Sequence, residues 1–252
     1  MYLRQSFRLL HAFPTLKASW IHDSTHQTAR LGGGSGTFIL YLSQSRRFFN
    51  NQYKQAHKMA KKALILIADG TEEMEFTITY DTLVRAGVEC TSANVQSGGS
   101  PYGSVGTSPA LVVCSRGVKI LPDTTLQPLS AGPGAETLSQ STEVQTLVRE
   151  YYESNKIVAM ICAGTLAAKT AGLPSQPVTS HPVVKNDLAS TYDYKEDSVV
   201  VSDEVPGKGT LVTRCAHSTV FPFAFKLVEL LCGKAKSDEV RVPMMFPRGI
   251  DY

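Results

Sequence analysis

The sequence predicts a doubly wound α/β domain beginning near Met59, and three observations predict it. The run ALILIA at 63–68 is short, continuously apolar and bounded by lysines and by Asp69-Gly70, the pattern of a strand buried on both faces. Residues 74–86 follow with Met74, Ile78, Leu83 and Val84 at roughly helical spacing and Gly87 as a stop, and 88–95 then reads as a second strand. Strand, helix and strand in about 35 residues make a βαβ unit, and the same alternation continues to the end of the chain.

The later elements follow in order. Residues 144–152 read as a helix, 156–161 as another buried strand, and 163–171 as a helix with Gly172 as its C-terminal stop. A short strand begins at Val178. Residues 198–202 and 210–213 read as a late pair of strands, and 223–231 as a closing amphipathic helix. Such alternation buries a mostly parallel sheet between two helical layers.

Composition bounds the rest. At 252 residues, with 42% apolar and 19% charged residues, the chain has room for one sizeable domain and an appendage. No run of eighteen or more apolar residues occurs, which argues against a transmembrane helix. Cys90, Cys114, Cys162, Cys215 and Cys232 are widely spaced without a CxxC pair. That pattern fits reduced thiols in a reducing compartment better than a disulfide framework or a zinc knuckle.

The net charge of +3 is unevenly distributed. Residues 1–58 carry eight Lys or Arg against one acid, Asp23, whereas the remainder carries 17 basic and 21 acidic residues. The front segment shows no sustained period of 3.6 or 2. Its opening, MYLRQSFRLLHAF, is Arg-bearing and acid-free, as mitochondrial presequences are. A disordered arm, or an upstream stretch joined to a coding sequence that starts at Met59, explains it equally. The division is therefore 1–58 as arm or presequence and 59–252 as the domain. Location is expected in the cytoplasm, with the nucleus open and the mitochondrion the alternative if the presequence is genuine.

Ligands of such sheets bind at the carboxyl ends of the strands. Three segments fall there: DGTEEME at 69–75, ICAG at 161–164 and SHP at 180–182. In the second, a strand runs into a small-residue turn that opens a helix. Cys162 would then stand at a tight elbow, where the positive end of the helix dipole favours thiolate over thiol. The bland reading is a small buried core cysteine. Glu72 and Glu73 read as helix N-terminal charges, which the dipole favours in any case.

The strings KALILIADGTEEME at 62–75, ICAG at 161–164, TSHP at 179–182 and FPFAFKLVELL at 221–231 resemble the ThiJ/PfpI superfamily, and within it the branch of the Parkinson-associated protein deglycase. The resemblance covers roughly residues 59–245. It implies a flavodoxin-like, class I glutamine amidotransferase-like sandwich, a homodimer, and a cysteine enzyme acting on reactive aldehydes or glycated proteins with no cofactor or metal. The family nucleophile falls on Cys162 and its partner carboxyl on Glu75. A carboxyl beside a thiolate is disfavoured as an anion, so Glu75 is expected protonated, donating a hydrogen bond to sulfur. His181 matches the family histidine, as proton carrier or orienting group, with a structural histidine bonding backbone before Pro182 as the alternative. Arg85 and Arg116 match positions near the dimer contact, and with Ala163 make up the expected substrate- and anion-binding set; either arginine is equally a solvated surface charge. Cys114 matches a second, redox-active cysteine, while Leu121 occupies the position of a third.

Three departures accompany the match. After Asp123, relatives continue into a buried strand and a Leu-Pro-Gly-Gly turn; here TTLQPLSAGPGA follows, so the sheet is expected to lack one central strand and the oxyanion hole one backbone donor. Residues 96–109 are an insertion, read as a Gly-rich loop rather than a phosphate cradle, because no Gly-Lys-Ser/Thr follows. Cys215-Ala-His-Ser-Thr219 stands where relatives have Arg-Gly-Pro-Gly-Thr. Two readings of function stay open: aldehyde detoxification by Cys162 and Glu75, or a catalytically weak stress protein and chaperone that senses oxidants through Cys162. An amidotransferase-like hydrolase is disfavoured, since His181-Pro-Val183 lacks the carboxylate two residues on. No nucleic-acid or membrane partner is expected.

Overall fold

The computed structural model describes residues 39–43, 60–95, 111–126, 136–215 and 219–247. The insertion at 96–109 and most of the front segment lie outside them. Among the described residues, eleven strands run in chain order: β1 (Ile39–Ser43), β2 (Lys62–Ile67), β3 (Glu89–Val95), β4 (Val112–Val113), β5 (Lys119–Ile120), β6 (Thr124–Leu126), β7 (Ile157–Ile161), β8 (Pro177–Val178), β9 (Asp193–Tyr194), β10 (Val199–Ser202) and β11 (Thr210–Arg214). Seven form the main sheet in the order β10-β11-β7-β1-β2-β3-β6. The helices are α1 (Glu73–Arg85), α2 (Glu136–Gln140), α3 (Thr142–Glu153), α4 (Leu166–Thr170), α5 (Lys185–Ala189), α6 (Val220–Cys232) and α7 (Lys234–Arg241).

The apolar runs are buried on both faces because their side chains alternate between two cores. Ala63, Ile65 and Ile67 of β2, with Ile157, Ala159 and Ile161 of β7, pack against Phe76 and Leu83 of α1 and Phe223 and Leu227 of α6. Leu66 of β2, with Val158 and Met160 of β7, packs the other way, against Val144 and Val148 of α3 and Ala167 and Ala168 of α4. Ser141 caps α3, its hydroxyl accepting from the Val144 N–H at 3.3 Å. Past the end of α4, Gly172 takes φ of 70°, a left-handed stop that glycine adopts without a Cβ penalty. These elements match their sequence-predicted positions to within a few residues.

The central strand departs from expectation. The place left empty by the shortened sequence after Asp123 is occupied by β1, which comes from the front segment. It pairs antiparallel with β2, from Ile39 opposite Leu66 to Ser43 opposite Lys62, and antiparallel with β7, from Ile39 opposite Met160 to Leu42 opposite Ile157. The sheet is therefore continuous, but through a strand running against its two neighbours. After Asp123, where no strand was expected, three residues form the edge strand β6, parallel to β3. The Asp123 carboxylate pins it by accepting from the Ser92 N–H and hydroxyl, each at 2.7 Å.

Candidate active site

The carboxyl ends of β2, β7 and β11 converge on one edge of the sheet. After β2 the chain is knitted to the segment around Val113: Asp69 Oδ1 accepts from the Val113 N–H at 2.9 Å, and the Gly70 N–H donates to the Val113 carbonyl at 2.7 Å. Glu72 caps α1, its Oε2 accepting from the Glu75 N–H at 2.9 Å. Glu73 turns outward and holds the next loop, accepting from the Ser115 hydroxyl and the Arg116 N–H. With the first turn so fixed, Glu75 points inward and is 1% exposed.

On β7, Ile161 is still extended, and Cys162 then turns abruptly with φ of 60°. A left-handed backbone at a side-chain-bearing residue costs on the order of 1–3 kcal/mol and persists only where its surroundings enforce it. Here the Cys162 carbonyl accepts from the His181 N–H at 3.3 Å, and the Thr165 hydroxyl donates to the Thr179 carbonyl at 3.0 Å. The expected elbow is present, with a partly exposed thiol.

The charge state differs from the sequence expectation. Burial pushes the Cys162 thiol up to about 11, and the Glu75 charge adds to it; the Ala163 N–H and Arg214 pull the other way without prevailing. The helix that was to lower it is a 3-10 turn over Cys162–Thr165 followed by only five α-helical residues. So short an element has little macrodipole to oppose desolvation. Because the thiolate is the reactive form, alkylation of Cys162 by iodoacetamide is expected to rise about tenfold per pH unit from neutrality and to level off only near the thiol's own titration. Peptide-resolved mass spectrometry reads this rate, and a rate already flat at neutral pH would contradict the assignment.

Sequence reading missed the partner of Glu75. Arg214, the last residue of β11, is fully buried; its Nη1 donates to Glu75 Oε1 at 3.2 Å and its Nε to the Thr219 hydroxyl at 3.0 Å. A buried guanidinium against a carboxylate favours the anion. That is the opposite of the protonated Glu75 expected from the sequence, and it leaves a carboxylate able to accept the Cys162 proton. The only signal in the sequence is one arginine closing an apolar strand, and its meaning depends on β11 lying beside β7 in register, Arg214 opposite Ile161.

The remaining candidates are placed as follows. His181 Nδ1 accepts from the Val183 N–H at 3.2 Å, capping the turn over Pro182–Val184, as in the backbone-bonding reading; its own N–H braces Cys162. Ala163 follows the cysteine directly, and its N–H is directed at the sulfur. Arg85 sits at the far end of α1, ten residues or about 15 Å along the axis from Glu75, and is paired with Asp81 at 2.6 Å. Arg116 is exposed, with Nη1 on the Ser115 hydroxyl at 3.0 Å. The single chain therefore does not bring Arg85 to Cys162. Burial, with Glu73, Glu72 and Asp69 nearby, pushes the Cys114 thiol up to about 11, and at 4% exposure it offers an oxidant little access, unlike the partly exposed Cys162. Among the described residues no three His, Cys, Asp or Glu side chains are grouped to hold a metal, and no helix is long and apolar enough to cross a membrane.

The dj-1beta protein of Drosophila melanogaster is 35% identical over 194 residues, spanning 72% of this chain and 95% of its own. The glutathione-independent glyoxalase DJ-1 of Schizosaccharomyces pombe is 32% identical over 204 residues, spanning 74% and 99%. The crystal structure of Drosophila melanogaster DJ-1beta superposes with a TM-score of 0.61 at 32% identity, covering 75% of this chain and all of that one. Residues 61–230 match the DJ-1/PfpI family along their whole length, and the chain belongs to that family.

Proposed function

We propose that this protein is a glutathione-independent glyoxalase, converting small 2-oxoaldehydes such as methylglyoxal to hydroxy acids through Cys162 and Glu75. The observation that carries the reading is the buried Glu75–Arg214 pair set against a cysteine held in a left-handed turn. The name of the Schizosaccharomyces pombe relative supports it. Glu75 takes the thiol proton as sulfur adds to the aldehyde carbon, and returns it to the oxygen to give a hemithioacetal. The carboxylate then removes the proton on that carbon and delivers it to the neighbouring carbonyl carbon by way of an enediol, leaving a thioester. Water hydrolyses the thioester, releases the hydroxy acid and restores the thiol. Buried and hydrogen-bonded to Arg214, Glu75 cannot swing away between the two proton transfers. The proposal includes a homodimer, because a role for Arg85 at Cys162 needs a second copy of the chain.

Lactate formation from methylglyoxal tests this. Cys162→Ala is expected to fall to the uncatalysed background and Glu75→Gln by about 10²- to 10⁴-fold, the usual contribution of a general base. Circular dichroism of each variant establishes that it is folded. Equal background rates in the parent and both variants would sink the reading.

A further inference from the structure

We infer that Cys162 and Cys215 form a redox pair, in which Cys215 captures an oxidised Cys162 as an intramolecular disulfide. The placement comes from the sheet. β7 and β11 are parallel neighbours whose last register pair is Ile161 opposite Arg214, so Cys162 and Cys215 each directly follow a member of that pair, just beyond the strand ends. The paired residues that precede them stand about 4.8 Å apart, so one residue further on the two cysteines start from within the Cα separations of about 4.4–6.8 Å that a disulfide spans. Both backbones are held there: the Cys162 carbonyl accepts from the His181 N–H at 3.3 Å, and the Cys215 N–H donates to the Ser198 carbonyl at 3.1 Å. Both side chains are partly exposed, unlike that of Cys114. Their mutual reach is also electrostatic, since charge on Cys215 is among the influences that push the Cys162 thiol up.

The chemistry balances with a hydroperoxide as oxidant. The Cys162 thiol, deprotonated by the adjacent Glu75 carboxylate, attacks the peroxide oxygen and becomes a sulfenic acid while the peroxide leaves as an alcohol or water. The Cys215 sulfur then attacks the sulfenic sulfur; the S–O bond breaks, the S–S bond forms and one water is released. Two electrons pass from the two thiols to the peroxide. The disulfide blocks further oxidation of Cys162 to the irreversible sulfinic state and is undone by a small thiol. This pairing involves no aldehyde and no thioester, and so stands or falls separately from aldehyde turnover.

The test treats the full chain, dilute and at mildly alkaline pH, with hydrogen peroxide, and maps peptides under non-reducing conditions. The expected result is a linked pair of peptides carrying Cys162 and Cys215, lighter by two hydrogens and separated again by dithiothreitol. Cys215→Ser is expected to carry Cys162 on to sulfinic acid at the same peroxide dose. Two outcomes overturn the inference: Cys162 gaining two oxygens in the parent protein while Cys215 stays alkylatable, or a disulfide that joins two chains. The parent protein alone decides between these outcomes, so the inference stays testable if the serine variant misfolds.

Discussion

A chain that begins at Met59 is expected to lose cooperative unfolding. Such a truncation removes β1 and leaves β2 and β7 facing each other across an empty strand position, about 9.6 Å apart at the usual spacing. Closing that gap would require half the sheet, with the helices packed on it, to move by a full strand width. Leaving it open strips backbone partners from two strands at the centre of the core. β1 makes five register pairs with β2 and four with β7. At about 0.5–1.5 kcal/mol net for each hydrogen bond, their loss is of the order of the whole 5–15 kcal/mol that stabilises a domain. The truncated chain should show a broad urea transition, dye binding to exposed apolar surface and a tendency to associate through the two open strand edges. Leu40→Pro in the full chain tests the same point with one atom-scale change, since proline removes a ladder donor from the middle of a sheet. A synthetic peptide spanning residues 36–46, added to the truncated chain, should restore a sharp transition by strand addition. Equal urea midpoints for the truncated and full chains would show that β1 contributes nothing.

This result bears on how the front segment is understood. Cleavage as a presequence at any point beyond Ser43 would remove the strand that completes the sheet. The segment's basic charge and its lack of a sustained period hid this role, because a five-residue strand inside 58 otherwise unpatterned residues is shorter than the windows in which periodicity is detectable. Long continuous elements were legible for the opposite reason. β2 and β7 are apolar at nearly every position because both faces are buried, and α1 and α6 carry their apolar residues at helical spacing. The elbow at Cys162 was legible from a strand running into small residues, and Glu75 from its place in the motif after β2. Arg214 and Cys215 were not, because their importance is created by register: nothing local to residues 210–215 indicates that they lie beside Ile161 and Cys162. The charge on the sulfur was misjudged for a related reason. Desolvation and the charge of Glu75 beside the sulfur are tertiary properties, and they outweigh the Ala163 N–H and Arg214.

Removing the cation from the site should therefore cost more than removing the nucleophile. Cys162→Ala deletes one partly exposed sulfur, whereas Arg214→Met takes the guanidinium away from a Glu75 carboxylate that is itself only 1% exposed. Breaking one side of a buried ion pair costs about 3–5 kcal/mol, because the remaining charge must be desolvated without compensation or must take up a proton. In a domain of this size that corresponds to a fall of roughly 10 °C in the melting midpoint. Arg214→Met combined with Glu75→Gln should recover much of the loss, since the double variant buries no uncompensated charge. A double-mutant cycle on thermal or urea stability isolates the coupling, expected to be of the order of 1–3 kcal/mol for groups in direct contact. Independent, additive effects of the two substitutions would show that the 3.2 Å contact carries no energy. The cycle also separates structure from chemistry. If the carboxylate is the proton acceptor, the stable double variant stays catalytically silent, because the amide that replaces it cannot take the proton from sulfur. Recovery of lactate formation along with stability would instead mean that Glu75 serves only to neutralise Arg214, and that another group moves the proton.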